Sequence, residues 1–234
     1  ALATTQAIQA DRQQIAPSNG VITVEQRMWF NESANSTWFL VPGLIVLILT
    51  LVGAFLTGLL IARERERGTL EALFVTPVRP LELVLAKLTP YIVIGMIDIV
   101  VCLLAASLIF DVPIRGSLLS IVSASFLYLM VSLLLGLTIS GFSSSQFQAS
   151  QMALLASFMP AMMLSGFVFD TRNLPVVIQV ISQILPATHF MTLIKTLFLG
   201  GDDWRLWLKE CGILIIYIVV LTTASCISLK KRLR

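Results

Sequence analysis

The densest run of charged side chains is Arg63-Glu64-Arg65-Glu66-Arg67. Gly68, Thr69 and Glu71 follow, and Thr76, Pro77, Val78, Arg79 and Pro80 close the stretch. Within it Leu70, Leu73 and Phe74 recur at i, i+3 and i+4, the spacing of one helix face. Pro77 ends such a helix and Pro80 can start the next. The pattern predicts a short amphipathic helix over residues 64–76, lying on a membrane surface and joined by a Pro-bounded turn to the apolar segment beyond. A rigid element of this kind can dock on a soluble partner and pass a push into a bilayer, which a floppy linker cannot. The plainer alternative is a surface connector whose arginines mark the cytoplasmic side.

Residues suited to covalent or metal chemistry are few. His189 is the one histidine, and Cys102, Cys211 and Cys226 sit in apolar runs with no C-x-x-C spacing. Neither a metal site, a disulfide framework nor a Ser-His-Asp triad is indicated, and the cysteines read as small apolar packing residues. No catalytic residue is assigned. The chain has no G-x-x-x-x-G-K-[ST] loop to cradle phosphates.

Asp98 is a carboxylate deep inside an apolar segment. Burial there costs a few kcal/mol, so it needs a partner, a watery cavity or a proton. It reads either as a cavity-lining group for a cationic or amphipathic substrate or as a hydrogen-bonded contact between helices. Tyr128 lies among Ser123, Ser125 and Ser132, at spacings that pack helices together. Pro160 interrupts a segment crowded with Met152, Met159, Met162 and Met163. Proline breaks the hydrogen-bond ladder, and thioethers suit either a promiscuous apolar surface or plain packing. Asp98, Tyr128, Met159, Pro160 and Met163 are therefore the candidates for a substrate pathway. His189 reads as a pH sensor or an ordinary interfacial side chain.

These groups are carried by apolar segments. Of 234 residues 57% are hydrophobic and 12% charged, against about 25% charged in soluble domains. That much apolar surface needs a bilayer. Five segments, about 39–62, 88–110, 117–140, 151–169 and 210–229, each match a hydrocarbon core of ~30 Å at 1.5 Å per residue. Two stretches, 175–185 and 187–199, are too short to span and predict a pair of helices dipping into or lying on the outer leaflet. The expected fold is an all-α polytopic membrane protein. The N-terminal residues 1–37 read as the end of an extracytoplasmic domain, with an alternating stretch at 21–30 that predicts a strand. Basic residues concentrate at 63–87 and in the tail Lys230, Lys231, Arg232 and Arg234. Both fall on one side of a five-span arrangement. That side is expected to be cytoplasmic, with residues 1–37 outside and the C-terminus inside. An N-terminus outside with no signal segment leads to the expectation of a further span upstream.

The run Glu64-Arg65-Glu66-Arg67-Gly68-Thr69-Leu70-Glu71-Ala72-Leu73, closing on Thr76-Pro77, resembles the signature of ABC-2 type exporter permeases. Phe39-Leu40-Val41-Pro42-Gly43 looks like the start of that family's second span. Leu164-Ser165-Gly166-Phe167-Val168-Phe169, Asn173-Leu174-Pro175 and Pro186-Ala187-Thr188-His189-Phe190 resemble its later region. The likeness covers roughly residues 21–234, with the motifs in family order, and is nearest to a multidrug-export-like subtype with an extracytoplasmic domain after the first span.

The resemblance implies a transmembrane domain over 38–234 in a bacterial inner (plasma) membrane protein that works as a homo- or heterodimer. It implies a separate cytoplasmic ABC ATPase that carries ATP and Mg, so that this chain holds no cofactor and is not itself an enzyme. It makes 64–76 the coupling helix, with Glu64, Arg65, Glu66, Gly68, Thr69, Glu71, Thr76 and Pro77 as its residues and Gly68 allowing a turn or close approach. A hydrophobic or amphipathic cargo, drug-like or lipid-like, follows, as do contacts with membrane lipid and a periplasmic adaptor; nucleic acid is not expected. The alternatives are an ion-gradient-driven secondary transporter, for which internal repeats would be expected, and a membrane assembly protein without transport.

Overall fold

Segments apolar on every face can hide their backbone polar groups from hydrocarbon only by coiling. The computed structural model describes residues 36–69, 79–169 and 175–230, and among these no strand occurs. α1 (Ser36–Gly58) passes through Leu59 into α2 (Leu60–Glu66). α3 (Pro80–Leu108) and α4 (Leu118–Phe142) follow. α5 (Gln146–Ala153) continues through a wide π turn, Leu154–Phe158, into α6 (Met159–Leu164). α7 (Val176–Ile184) and α8 (Pro186–Lys195) precede a second π turn, Thr196–Gly200, and α9 (Trp204–Lys230) ends the described chain.

Among the described residues five stretches are long and apolar enough to cross a membrane: Thr37–Glu66, Pro80–Leu108, Leu118–Phe142, Gln146–Leu164 and Trp204–Leu229. The pair Val176–Ile184 and Pro186–Gly200 is bent by 87°. Pro186, which cannot donate to the preceding turn, starts α8 at that bend.

Several boundaries differ from the sequence expectation. The second span begins at Pro80, not 88, because Pro80 sits in the first turn and the Glu82 carboxylate accepts the Arg79 N–H at 3.3 Å. The fourth covers Gln146–Leu164 in place of 151–169. The uncharged, mostly polar stretch 146–151 is already helical, and the helix ends before Ser165. The last starts at Trp204, not 210, with Asp203 Oδ1 accepting the Arg205 N–H at 3.0 Å. Residues 64–66 end the first span and do not open a separate surface helix. The predicted strand at 21–30 and residues 70–78 lie outside the described residues.

α4 is the central helix, packed by α1 on one flank and α9 on the other. A Cβ on Gly136 would overlap Thr57 and the backbone of Ala54, so glycine sets the close approach of α1. At that crossing the Thr57 hydroxyl is within 2.7 Å of Gly53 O and 2.8 Å of Leu133 O. On the other flank the Thr138 and Ser225 hydroxyls lie 2.8 Å apart. α8 fills the remaining side. Phe190 stacks on Tyr128 with ring centres 4.3 Å apart, and Met191, Ile194 and Leu197 are buried beside it.

Candidate functional site

The signature residues meet where the first span ends. Leu59 interrupts the helix, so the first N–H groups of α2 lack partners on their own chain segment. Ser140 Oγ of α4 accepts two of them, Ile61 N at 2.9 Å and Ala62 N at 3.0 Å. At the other end Gly68 adopts φ +68° and stops the helix, its N–H donating to Arg65 O at 3.1 Å. The Thr69 hydroxyl donates to Glu64 O at 3.2 Å.

The three side chains between these caps reach three different helices. Glu64 pairs with Lys87 of α3. Arg65 donates to Gly141 O at 3.0 Å and to Ser143 O, two carbonyls at the C-terminus of α4. A guanidinium fork suits that negative helix end. Glu66 accepts the backbone N–H of Gln146 at 2.7 Å and also its side-chain amide, placing a carboxylate on the N-terminus of α5. Glu64, Arg65, Glu66, Gly68 and Thr69 thus form one compact joint. Arg63 and Arg67 remain exposed at its surface. Glu71, Thr76 and Pro77 lie outside the described residues. α2 is thereby fastened to α3, α4 and α5.

The candidates for a substrate pathway are spread over several helix faces. Tyr128 is buried, hydrogen-bonded to Thr50 and set against a cavity of about 30 Å³ that Ser132, Ser157 and Ala161 also line. That volume holds about two waters. Met159 and Met163 are exposed on the face opposite Ser157 and Ala161, and Pro160 is half-buried between them. The π turn before Pro160 takes up the space its ring needs. Asp98 is half-buried on α3, its Oδ1 accepting the Cys102 thiol at 3.8 Å. Its Oδ2 is buried without a partner among the described residues.

Four positions with contacts at the joint or the outer bend escaped the sequence reading. Ser140 and Gln146 flank an uncharged turn and carry no motif. Lys87 counted only as a basic loop residue. Glu210 stood at the edge of the last apolar segment, yet it is 5% exposed and 2.6 Å from His189 Nδ1. A lone histidine in one apolar helix and a carboxylate at the edge of another was the available signal.

The helices and the joint define a multi-pass membrane protein whose spans are tied together at one end. A family model described as "ABC-2 family transporter protein" matches residues 1–227, and the chain belongs to that family. It is 40% identical over 213 residues to the "Probable multidrug ABC transporter permease YbhS" of Escherichia coli K12, covering 91% of this chain and 56% of that protein. It is 33% identical over 187 residues to the "Probable multidrug ABC transporter permease YbhR" of the same organism, covering 78% and 49%. A third relative, the "Inner membrane transport permease YhhJ" of the same strain, is 36% identical over 107 residues, covering 43% and 27%. The chain spans about half the length of the first two. No solved structure matches it.

Proposed function

We propose that this chain is the membrane-spanning permease part of an ATP-driven exporter in a bacterial inner membrane. It moves a hydrophobic or amphipathic substrate out of the cytoplasm. A separate ATPase subunit binds ATP and Mg and docks at the end carrying residues 63–80. That end is cytoplasmic, as the basic residues there and in the tail suggest. A second permease copy, identical or homologous, completes the transporter.

The observation that carries this reading is the joint at Glu64–Thr69. Its fasteners reach α3, α4 and α5, and its exposed arginines are free to meet an acidic groove on a partner. Family membership and the multidrug permease names of two relatives support the same reading. Glu64, Arg65 and Glu66 then transmit the stroke. Arg63, Arg67 and the residues through Pro77 receive it, and Asp98 and Tyr128 belong to the substrate side.

The test is co-purification of the full-length protein with its ATPase from detergent, with dye efflux from everted vesicles as the second readout. Glu66→Lys with Glu71→Lys should lose export, and the second substitution should weaken the association. Unchanged association and export in the double variant would reject the assignment.

A further inference from the structure

We infer that His189, Glu210 and Tyr217 form a clasp holding the C-terminal end of α7, and that α7 is a lid that swings about Leu185 when the clasp lets go. The two arms of the bend differ sharply in anchorage. α8 buries Ala187, Phe190, Met191, Leu193 and Ile194. α7 buries Ser182, while Val176, Val177, Val180, Ile181 and Ile184 are all exposed. Between the arms Leu185 is extended, φ −85° and ψ 128°, before Pro186. A hinge there moves α7 against a fixed α8.

The last carbonyls of α7 are held from outside the helix. His189 Nε2 lies 2.8 Å from Gln183 O, and the Tyr217 hydroxyl donates to Ile184 O. A carbonyl only accepts, so Nε2 carries hydrogen. Nδ1 faces Glu210 Oε2 at 2.6 Å, which also requires a proton between them. The pair therefore holds one shared proton, on the imidazole or on the carboxyl group. Glu210 and Tyr217 are seven residues apart, on one face of α9. The Glu210 hydrogen bond goes to His189 and not to an α7 carbonyl, so Glu210 is a positioning residue that aims the imidazole. Ser182 adds a bond of 2.6 Å to Leu164 O.

The clasp stands beside a cavity of about 620 Å³ between the bend and α9, lined by Gln183, Ile184, Thr188, Thr192, Lys209 and Ile213 besides the clasp itself. The last turn of α7 is one of its walls. This size suits a small amphipathic molecule, and release of α7 widens the cavity. The lid's role in substrate exit rests on the exporter reading; the clasp does not.

Hydrogen–deuterium exchange on the full chain in detergent tests the clasp without any transport. Glu210→Ala and His189→Ala should each speed exchange across 181–185 by about tenfold, the effect of one lost hydrogen bond, and leave α8 unchanged. Glu210→Gln should stay close to wild type, because its amide donates to Nδ1 and keeps Nε2–H on Gln183. Unchanged α7 protection in both alanine variants overturns the clasp. So does joint loss of protection in α8 and α9, the mark of general unfolding. For the lid, Ile184→Cys with Tyr217→Cys is cross-linked in a background lacking Cys102, Cys211 and Cys226. Export that stops on cross-linking and returns on reduction supports it; undiminished export in the cross-linked protein overturns it. Co-purification with the ATPase separately reports whether the exporter reading has failed.

Discussion

Gln146 donates both its backbone N–H, at 2.7 Å, and its side-chain amide to the Glu66 carboxylate. The end of the first span is thereby the cap of the fourth. Most helix caps come from the residue just before the helix. Here Ser145 takes that place and accepts the Gln148 N–H at 3.2 Å, while Glu66 arrives from 80 residues earlier in sequence and takes a different donor. Such a cap couples two spans that share no turn.

Reversing that charge should uncouple them. In Glu66→Lys a cation faces the N-terminus of α5 and both hydrogen bonds are lost. Amide exchange over 146–150 should rise clearly, with Glu66→Gln intermediate because one acceptor oxygen survives. Exchange at 140–143, held by Arg65 and Ser140, should change little. Equal protection in Glu66→Lys and wild type would show that the contact carries no strength.

Arg65 is the fastener that a lysine cannot replace. Its fork spans Gly141 O and Ser143 O at once, whereas one ammonium cannot hold both in the same geometry. Arg65→Ala should lose about 1–3 kcal/mol, typical of charged hydrogen bonds in a half-buried site. Arg65→Lys should recover less than half of that. Thermal unfolding in one detergent, followed by tryptophan fluorescence, measures both.

The fold was legible in sequence because bilayer physics acts on composition and length. Apolar runs of the right length could only be helices, so the five long helical stretches and the bent pair were predictable. Their ends were less so. The start of α5, Gln146–Ser150, carries three polar residues and is capped partly by Glu66, which belongs to a distant segment. The signature run pointed to the segment where the first span ends. It did not reveal that Glu64, Arg65 and Glu66 fan into three neighbouring helices, since that depends on how α3, α4 and α5 converge. Glu210 was passed over for the same reason: its partner lies on another helix, and neither residue has a spacing that marks the other.

Gly136 should tolerate nothing larger than itself. Its missing side chain is where Thr57 and the Ala54 backbone pass. Thr57 is fully buried and bonded on both sides of the crossing, so it cannot swing aside. Gly136→Ala should cost about 1–3 kcal/mol by overpacking, and Gly136→Val more. Gly212, where an added Cβ meets no atom within 4 Å, is the matched control. Gly212→Ala should be neutral or slightly stabilising, as expected inside a helix. If the two alanine variants melt together, the α1–α4 approach is looser than the structure has it.

Asp98 separates stability from transport. Its Oδ2 is buried and unpartnered among the described residues, and Oδ1 has only a long bond from the Cys102 thiol. A carboxyl group held this poorly near mid-span is a cost, about 2.5–3.5 kcal/mol on insertion scales. Asp98→Leu removes the cost and should melt no lower than wild type. A group retained at such a cost is expected to serve the substrate or a proton, so the same variant should lose export by at least about tenfold. Asp98→Asn keeps the shape and hydrogen-bonding capacity without a titrating proton. It should fold normally and fall between the two if hydrogen bonding carries part of the role. Measuring melting and dye efflux on the same membrane preparations decides the matter. Normal export by both variants would remove Asp98 from the mechanism, and a lower melting point for Asp98→Leu would make it a structural contact between helices.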